Sequence, residues 1–231
     1  MITLRHAHER GHANFGWLDS KHSFSFGSYY DAAHMGISAL RVINDDKVSP
    51  GAGFTPHGHK NMEIISYVLE GAIAHKDSEG NVAVLPAGEF QLMSAGTGIS
   101  HSEFNASKTD DLKFLQIWIQ PNVIGTKPEY QQKHFGQALG LTTIASADGK
   151  EGSLRLKQDA TLSQLILAAQ SQLTIEVSPS RHTYVHQVQG ELSINHHKLN
   201  AGDGAHISEV QSITLNNVSD QQVTALIFDL P

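Results

Sequence analysis

Residues 51–63 read G-A-G-F-T-P-H-G-H-K-N-M-E, and residues 96–105 read G-T-G-I-S-H-S-E-F-N. These two stretches carry His57, His59, Glu63, His101 and Glu103 at alternating positions. A β-strand sends successive side chains to opposite faces, so residues i and i+2 share one. His57 and His59 therefore point the same way across Gly58, and Glu63 joins them if the strand runs on unbroken. His101 and Glu103 form a second pair on a later strand. Two adjacent strands can then offer three imidazoles and a carboxylate to one point inside a small β-barrel. That donor set suits a borderline divalent ion such as iron, nickel, copper or zinc, whereas calcium or magnesium would be served by oxygens alone. His6 and His8 have the same spacing, but no second pair supports them, and they receive no metal role.

The segments around this core read as strands. Ile64–Glu70 is β-branched and aromatic. Ala72–Asp77 and Val82–Leu85 form a hairpin about Asp77-Ser78-Glu79-Gly80-Asn81. Phe90–Met93 follows, and Phe114–Gln120 alternates as a half-buried strand should. His22–Phe26 also alternates, and its aromatics, with Trp17, Tyr29 and Tyr30, are expected to pack in the sheet core. Ile37–Ile43 is a strand closed by Asn44-Asp45-Asp46, a turn signal. His75 is expected as a solvated or packing histidine. The Gly96-Thr97-Gly98 element lacks a Walker lysine and a following helix pattern, so close backbone approach beside the metal is its expected use.

Composition bounds the rest. A chain of 231 residues with 39% hydrophobic content can build one large or two small domains. Sixteen basic against 23 acidic residues give a net charge of −7, with no basic stripe for a phosphate backbone, so direct nucleic-acid binding is not expected. There is no cysteine, which excludes disulfides, thiol catalysis and cysteine-ligated zinc. No apolar run approaches the roughly 18 residues needed to span a bilayer, and a soluble cytoplasmic protein is expected. Pro121–Pro128 is the best linker candidate, and a short helix is expected within Tyr130–Leu139. Beyond it, Val188-Gln189-Gly190 and Ala201-Gly202-Asp203 echo Val68-Leu69-Glu70-Gly71 and Ala87-Gly88-Glu89. Superposing Gly71 on Gly190 puts Glu176 and Ser178 where His57 and His59 stand. A second metal site is therefore not expected, and His182, His186, His196, His197 and His206 are read as surface or packing residues.

Gly51, His57, His59, Glu63 and Gly71 match the first cupin motif, G-x5-H-x-H-x3-E followed by glycine. Gly80, Pro86, Gly88, His101 and Asn105 resemble the second, with an insertion. More narrowly, Arg10–Phe26, Met35–Asp46, Met62–Ile64 and Ser94–Glu103 resemble the bacterial pirin-like group that includes quercetin 2,3-dioxygenases. The resemblance covers most of residues 1–120 and is a fold-level likeness from about residue 130. It implies an all-β bicupin of two tandem antiparallel jelly-roll barrels: residues 1–125 holding the metal and residues 126–231 lacking its ligands. It implies His57, His59, His101 and Glu103 as ligands of one divalent transition metal, iron(II) foremost, with zinc, nickel, copper, cobalt or manganese as alternatives. Glu63 would then orient a ligand from behind.

The activity implied is opening of the heterocyclic ring of a flavonol such as quercetin by dioxygen, with release of carbon monoxide. Glu103 would take the proton of the 3-hydroxyl. The partners expected are therefore a small aromatic substrate and dioxygen, acting on a monomer. The resemblance equally implies a metal-dependent co-regulator with a protein partner, or a dioxygenase acting on a non-flavonoid substrate.

Overall fold

The computed structural model describes residues 1–231. It consists of β-strands and two short 3-10 turns, with no α-helix, and no helix is long and apolar enough to cross a membrane. In chain order the strands begin with β1 (Ile2–Arg5), β2 (Gly11–Asn14), β3 (Leu18–His22) and β4 (Leu40–Val48). There follow β5 (Gly53–His59), β6 (Glu63–Glu70), β7 (Ala72–Asp77) and β8 (Val82–Pro86). Next come β9 (Glu89–Ser94), β10 (Ile99–Asn105), β11 (Leu112–Ile119) and β12 (Glu129–His134). The second half carries β13 (Gly140–Ser146), β14 (Leu154–Arg155), β15 (Thr161–Leu167), β16 (Ser171–Glu176) and β17 (His182–Gln189). It ends with β18 (Leu192–Ile194), β19 (His197–Leu199), β20 (Gly204–Ile207), β21 (Ser212–Asn217) and β22 (Val223–Leu230). The chain divides into two compact units, Gly11–Gly136 with Leu156–Gln158, and Met1–Arg10 with Gln137–Arg155 and Asp159–Pro231.

The first unit is a seven-stranded sheet, β12-β9-β6-β11-β4-β3-β2, and a four-stranded one, β5-β10-β7-β8, antiparallel throughout. The near-continuous apolar run in β6 is buried from Glu63 to Val68, as befits the strand between β9 and β11. Val68, Ile73, Leu85, Leu112, Phe114, Leu18 and Val48 form one apolar layer, and Ile64, Met93, Ala95 and Ile99 form another. Ser66 lies between Ile64 and Val68 on the same face of β6 and is fully buried.

Three expectations change here. The turn expected at Asn44-Asp45-Asp46 is strand: β4 runs through it, paired residue by residue with β11. Asn44 and Asp46 are buried, as are Val42 and Val48. Local turn propensity yields to pairing on both edges and to a polar interior that can use those side chains. The helix expected within Tyr130–Leu139 is β12, which occupies the edge of β9. The Gly96 loop serves another close approach than the one expected. A Cβ on Gly96 would sit 2.1 Å from the carbonyl oxygen of Thr126, while Thr97 N–H donates to that same oxygen at 2.8 Å.

The second unit repeats the plan, with sheets β1-β20-β17-β22-β15-β13-β14 and β16-β21-β18-β19. Residues 1–10, expected with the first barrel, belong here. β1 pairs with β20, Leu4 and Ile2 pack on this unit's core, and Asp203 accepts from Ala7 N–H at 2.6 Å.

Two asparagines fix the internal repeat. Asn105 Nδ2 donates to the carbonyls of Val48, Ser49 and Asp110 at 3.1, 3.2 and 2.8 Å. Asn217 Nδ2 does the same to Leu167, Ala168 and Gln221 at 3.3, 2.8 and 2.8 Å. Counting from them, Ile213 and Leu215 stand where His101 and Glu103 do. Ile213 pairs with Ile175 as His101 pairs with His57. Ile175 and Val177, rather than Glu176 and Ser178, thus take the places of His57 and His59. The link between the β16 and β17 positions is one residue longer than that between β5 and β6, which shifts a superposition based on glycines. All four positions corresponding to His57, His59, His101 and Glu103 are aliphatic in the second unit.

Candidate metal centre

β10 is flanked by β5 on one edge and β7 on the other, so three strands present their inward residues side by side. His101 lies opposite His57 on β5 and opposite Asp77 on β7, and Glu103 lies opposite His75. A bulge between His101 and Glu103 sets the register against β5. It depends on Gly53, whose Cβ would meet the Glu103 carbonyl oxygen at 2.3 Å.

The imidazoles of His57, His59 and His101 converge. Their ring centroids are 4.5 Å (His57–His101), 4.9 Å (His59–His101) and 4.9 Å (His57–His59) apart, with one nitrogen of each within 4.8 Å of the others. His57 Nδ1–H donates to the Thr55 carbonyl at 2.8 Å, which leaves its Nε2 lone pair free. His59 Nε2 and His101 Nε2 face each other at 3.1 Å. Burial, then the neighbouring rings of His101 and His57, pushes His59 down to about 4. Burial, then His57 and His75, pushes His101 down to about 3. Both are therefore neutral near pH 7, the state a metal requires. Converging neutral imidazoles, two of them nearly in contact, fit a divalent transition metal.

Glu103 is held from across the barrel. Ser66 Oγ donates to its Oε1 at 3.2 Å and Gln116 Nε2 to its Oε2 at 3.0 Å, and Oε2 lies 3.9 Å from His101 Nε2. Glu63 stands elsewhere. The strand breaks at residues 60–62, where Asn61 takes a φ of 49°, and Glu63 opens β6 in the opposite sheet. There it accepts from Ser94 Oγ at 2.8 Å and from Lys157 N–H at 3.1 Å, anchoring the Leu156–Gln158 segment.

His75, read from sequence as solvated or packing, is buried and forms a second convergent group with His101 and Glu103. Its Nε2 meets Asp77 Oδ2 at 3.1 Å. Asp77 is gripped by the hairpin turn: Glu79 N–H and Asn81 N–H donate to Oδ1 at 3.0 and 2.9 Å, and Asn81 Nδ2 donates to Oδ2 at 2.8 Å. Burial opposes its ionisation, but the Asn81 and His75 donors outweigh burial and hold the carboxyl below the usual range. The alternation His75-x-Asp77 was the sequence signal for this pair.

A cavity of about 290 Å³ opens on His57 and His59. Phe26, Phe54 and Trp118 give it aromatic walls, and Ser20, Asn44 and Asp46 give it a polar side. Phe26 meets Trp118 edge-on at 5.4 Å, so this aromatic, expected in the core, is a cavity wall. Phe24 is core and Tyr30 is exposed. Asn44 Oδ1 and Trp118 Nε1 are buried with no hydrogen-bond partner, leaving an acceptor and a donor on the cavity-lining residues. Burial, reinforced by the charges of Asp45 and Glu103, raises the Asp46 carboxyl to about 7 against the pull of the Ser20 hydroxyl.

Residues 3–119 match the Pirin family model, and residues 143–230 match the model described as the quercetinase C-terminal cupin domain. The chain is 49% identical to a quercetin 2,3-dioxygenase of Escherichia coli K12, covering all of this chain and 99% of the relative. It is 35% identical to the pirin-like protein YhaK of the same strain, with complete coverage of both. The crystal structure of the E. coli pirin YhhW in complex with nickel(II) aligns with a TM-score of 0.96 at 48% identity, covering all of this chain and 99% of the other.

Proposed function

The chain belongs to the pirin family, and from that premise we propose that it is a metal-dependent oxidoreductase that opens the heterocyclic ring of a flavonol such as quercetin with dioxygen, releasing carbon monoxide. One observation carries this reading: His57 and His59 line the same cavity as an aromatic cage and a row of hydrogen-bonding groups. A flat polyphenol needs that combination.

In this reading His57, His59, His101 and Glu103 hold one divalent transition metal. The nickel(II) found in the E. coli relative stands beside iron(II) as a candidate. Such a metal, when bound, supplies Lewis acidity toward a substrate hydroxyl and a common anchor for both reactants. The protein supplies the rest. Phe26, Phe54 and Trp118 sandwich the rings and exclude water, as edge-on and offset aromatic contacts favour. Glu103, steadied by Ser66 and Gln116, receives the proton of the reacting hydroxyl. Asp46, near the midpoint of its titration at neutral pH, can donate to or accept from a second hydroxyl.

Carbon monoxide release from quercetin and dioxygen, measured on iron(II)- and nickel(II)-loaded protein, tests the proposal. Metal-dependent release that disappears in Glu103→Ala is expected. Fully loaded protein that leaves quercetin intact would overturn the flavonol assignment.

A further inference from the structure

Two buried nitrogens on neighbouring rings in the first barrel lack partners: Nδ1 of His101 and Nδ1 of His75. Their rings are 5.4 Å apart, tilted by 56°, on adjacent strands. A buried nitrogen left without a partner is destabilising, and one ring can supply the proton that the other lacks. His75 is pinned at its far side, where Nε2 meets a carboxylate that accepts from three other donors. An ionised carboxylate only accepts, so His75 carries its proton on Nε2 and presents Nδ1 as a lone pair. His101, if it is to offer Nε2 to a metal, carries its proton on Nδ1. One ring then donates and the other accepts.

We propose that Asp77, His75 and His101 form a hydrogen-bonded relay that sets the tautomer of His101 and aims its Nε2 at the metal. The proposal rests on the metal-centre reading above. Asp77 Oδ2 accepts from His75 Nε2–H, and one buried water between the rings accepts from His101 Nδ1–H and donates to His75 Nδ1, since the two nitrogens do not bond directly. Carboxylate support of a ligating histidine usually acts on the ligand itself; here one imidazole is interposed. Asp77 and His75 are positioning residues, and neither touches substrate. The geometry explains why His75 is buried on β7 at a point where a packing residue would be apolar, and why the hairpin turn spends three donors on one carboxylate. Tyr130, whose ring lies 4.8 Å from His75, backs the imidazole and limits its rotation.

The tautomers can be read directly, without any variant, from the ring-nitrogen chemical shifts of nitrogen-15-histidine-labelled full-length protein loaded with zinc(II). The relay predicts His75 protonated at Nε2 only, and His101 protonated at Nδ1 with Nε2 on the metal. Chelator competition for zinc(II) provides the second arm. His75→Asn, which keeps an acceptor near the Nδ1 position, should bind zinc within a few-fold of wild type. His75→Leu should lose about 10–100-fold, the usual cost of removing such support, as should Asp77→Asn, in which His75 should move its proton to Nδ1. His75 protonated at Nδ1 in the wild type, or zinc affinity unchanged in Asp77→Asn, would overturn the relay. A metal-type shift on a His75 nitrogen would overturn it too, making His75 a ligand. Protein that binds no zinc at all would remove the metal centre and the relay together, whereas loss of quercetin turnover alone would leave both standing.

Discussion

Glu63 and Glu103 are both buried carboxylates near the barrel interior, and their surroundings give them separate work. Glu103 shares its strand with His101 and converges with His101 and His75. Glu63 bridges Ser94 and the Lys157 amide. Glu63→Ala should therefore cost about 1–3 kcal/mol of stability by stranding those donors, while zinc or nickel affinity stays within a few-fold, as denaturant titration and chelator competition would show. Asp46 allows a pH test. Its folded pKa of about 7 lies above the ordinary carboxylate value near 4. The stability tied to this group is full below pH ~4 and is lost as pH rises through 7. Asp46→Asn should raise the Tm of the metal-free protein by about 5 °C at pH 8 and by less at pH 5, as scanning calorimetry would report. At this scale the convergence of His57, His59 and His101 was legible, because His57-x-His59 and His101-x-Glu103 state their own facing. Asn44, Asp46 and His75 were not. Each is a residue type that local rules send to turns or solvent, and only the neighbouring strands reveal that it is buried.

At the scale of elements, the candidate site is a three-strand arrangement in which β10 holds the centre, β5 brings His57 and His59, and β7 brings His75 and Asp77. The weak point is the bulge between β5 and β10, where Gly53 lies against the backbone of Glu103 and Phe104. The clash is with backbone, which cannot swing aside. Gly53→Ala should lever β5 away from β10, at about 1–3 kcal/mol for overpacking. Because it separates His57 and His59 from His101, metal affinity should fall about tenfold or more, seen by chelator competition on protein whose circular dichroism is unchanged. The strands themselves were largely readable from period-2 alternation. β12 was not: Glu-Tyr-Gln-Gln-Lys-His has no apolar alternation, and its strand character comes from the open edge of β9.

The whole molecule pairs a functional barrel with one whose corresponding positions are Ile175, Val177, Ile213 and Leu215. The second unit also stores an acid-sensitive group. His186 is buried, and burial, with the Arg10 charge, pushes it down to about 3. An unfolded histidine titrates near 6.5, so this contribution is full above pH ~6.5 and is lost as pH falls toward 3. The loss should reach about 3 kcal/mol near pH 4, and His186→Leu should flatten that acid limb in urea titrations at pH 7, 5.5 and 4. The repeat was visible in sequence through its glycines, but its register was not, since one extra residue in a loop moves every side chain to the other face. Metal identity was never legible, because a three-histidine, one-carboxylate set accepts several ions.

The central claim is that one metal sits among His57, His59, His101 and Glu103, facing a flavonol cavity walled by Phe26 and Trp118. Anomalous X-ray diffraction from nickel-loaded crystals soaked anaerobically with quercetin tests it most directly. A single anomalous peak within bonding distance of the three imidazoles and Glu103, with the flavonol's hydroxyl directed at it from that cavity, is the predicted result. A peak centred on His75, or a flavonol bound away from the metal, would contradict it.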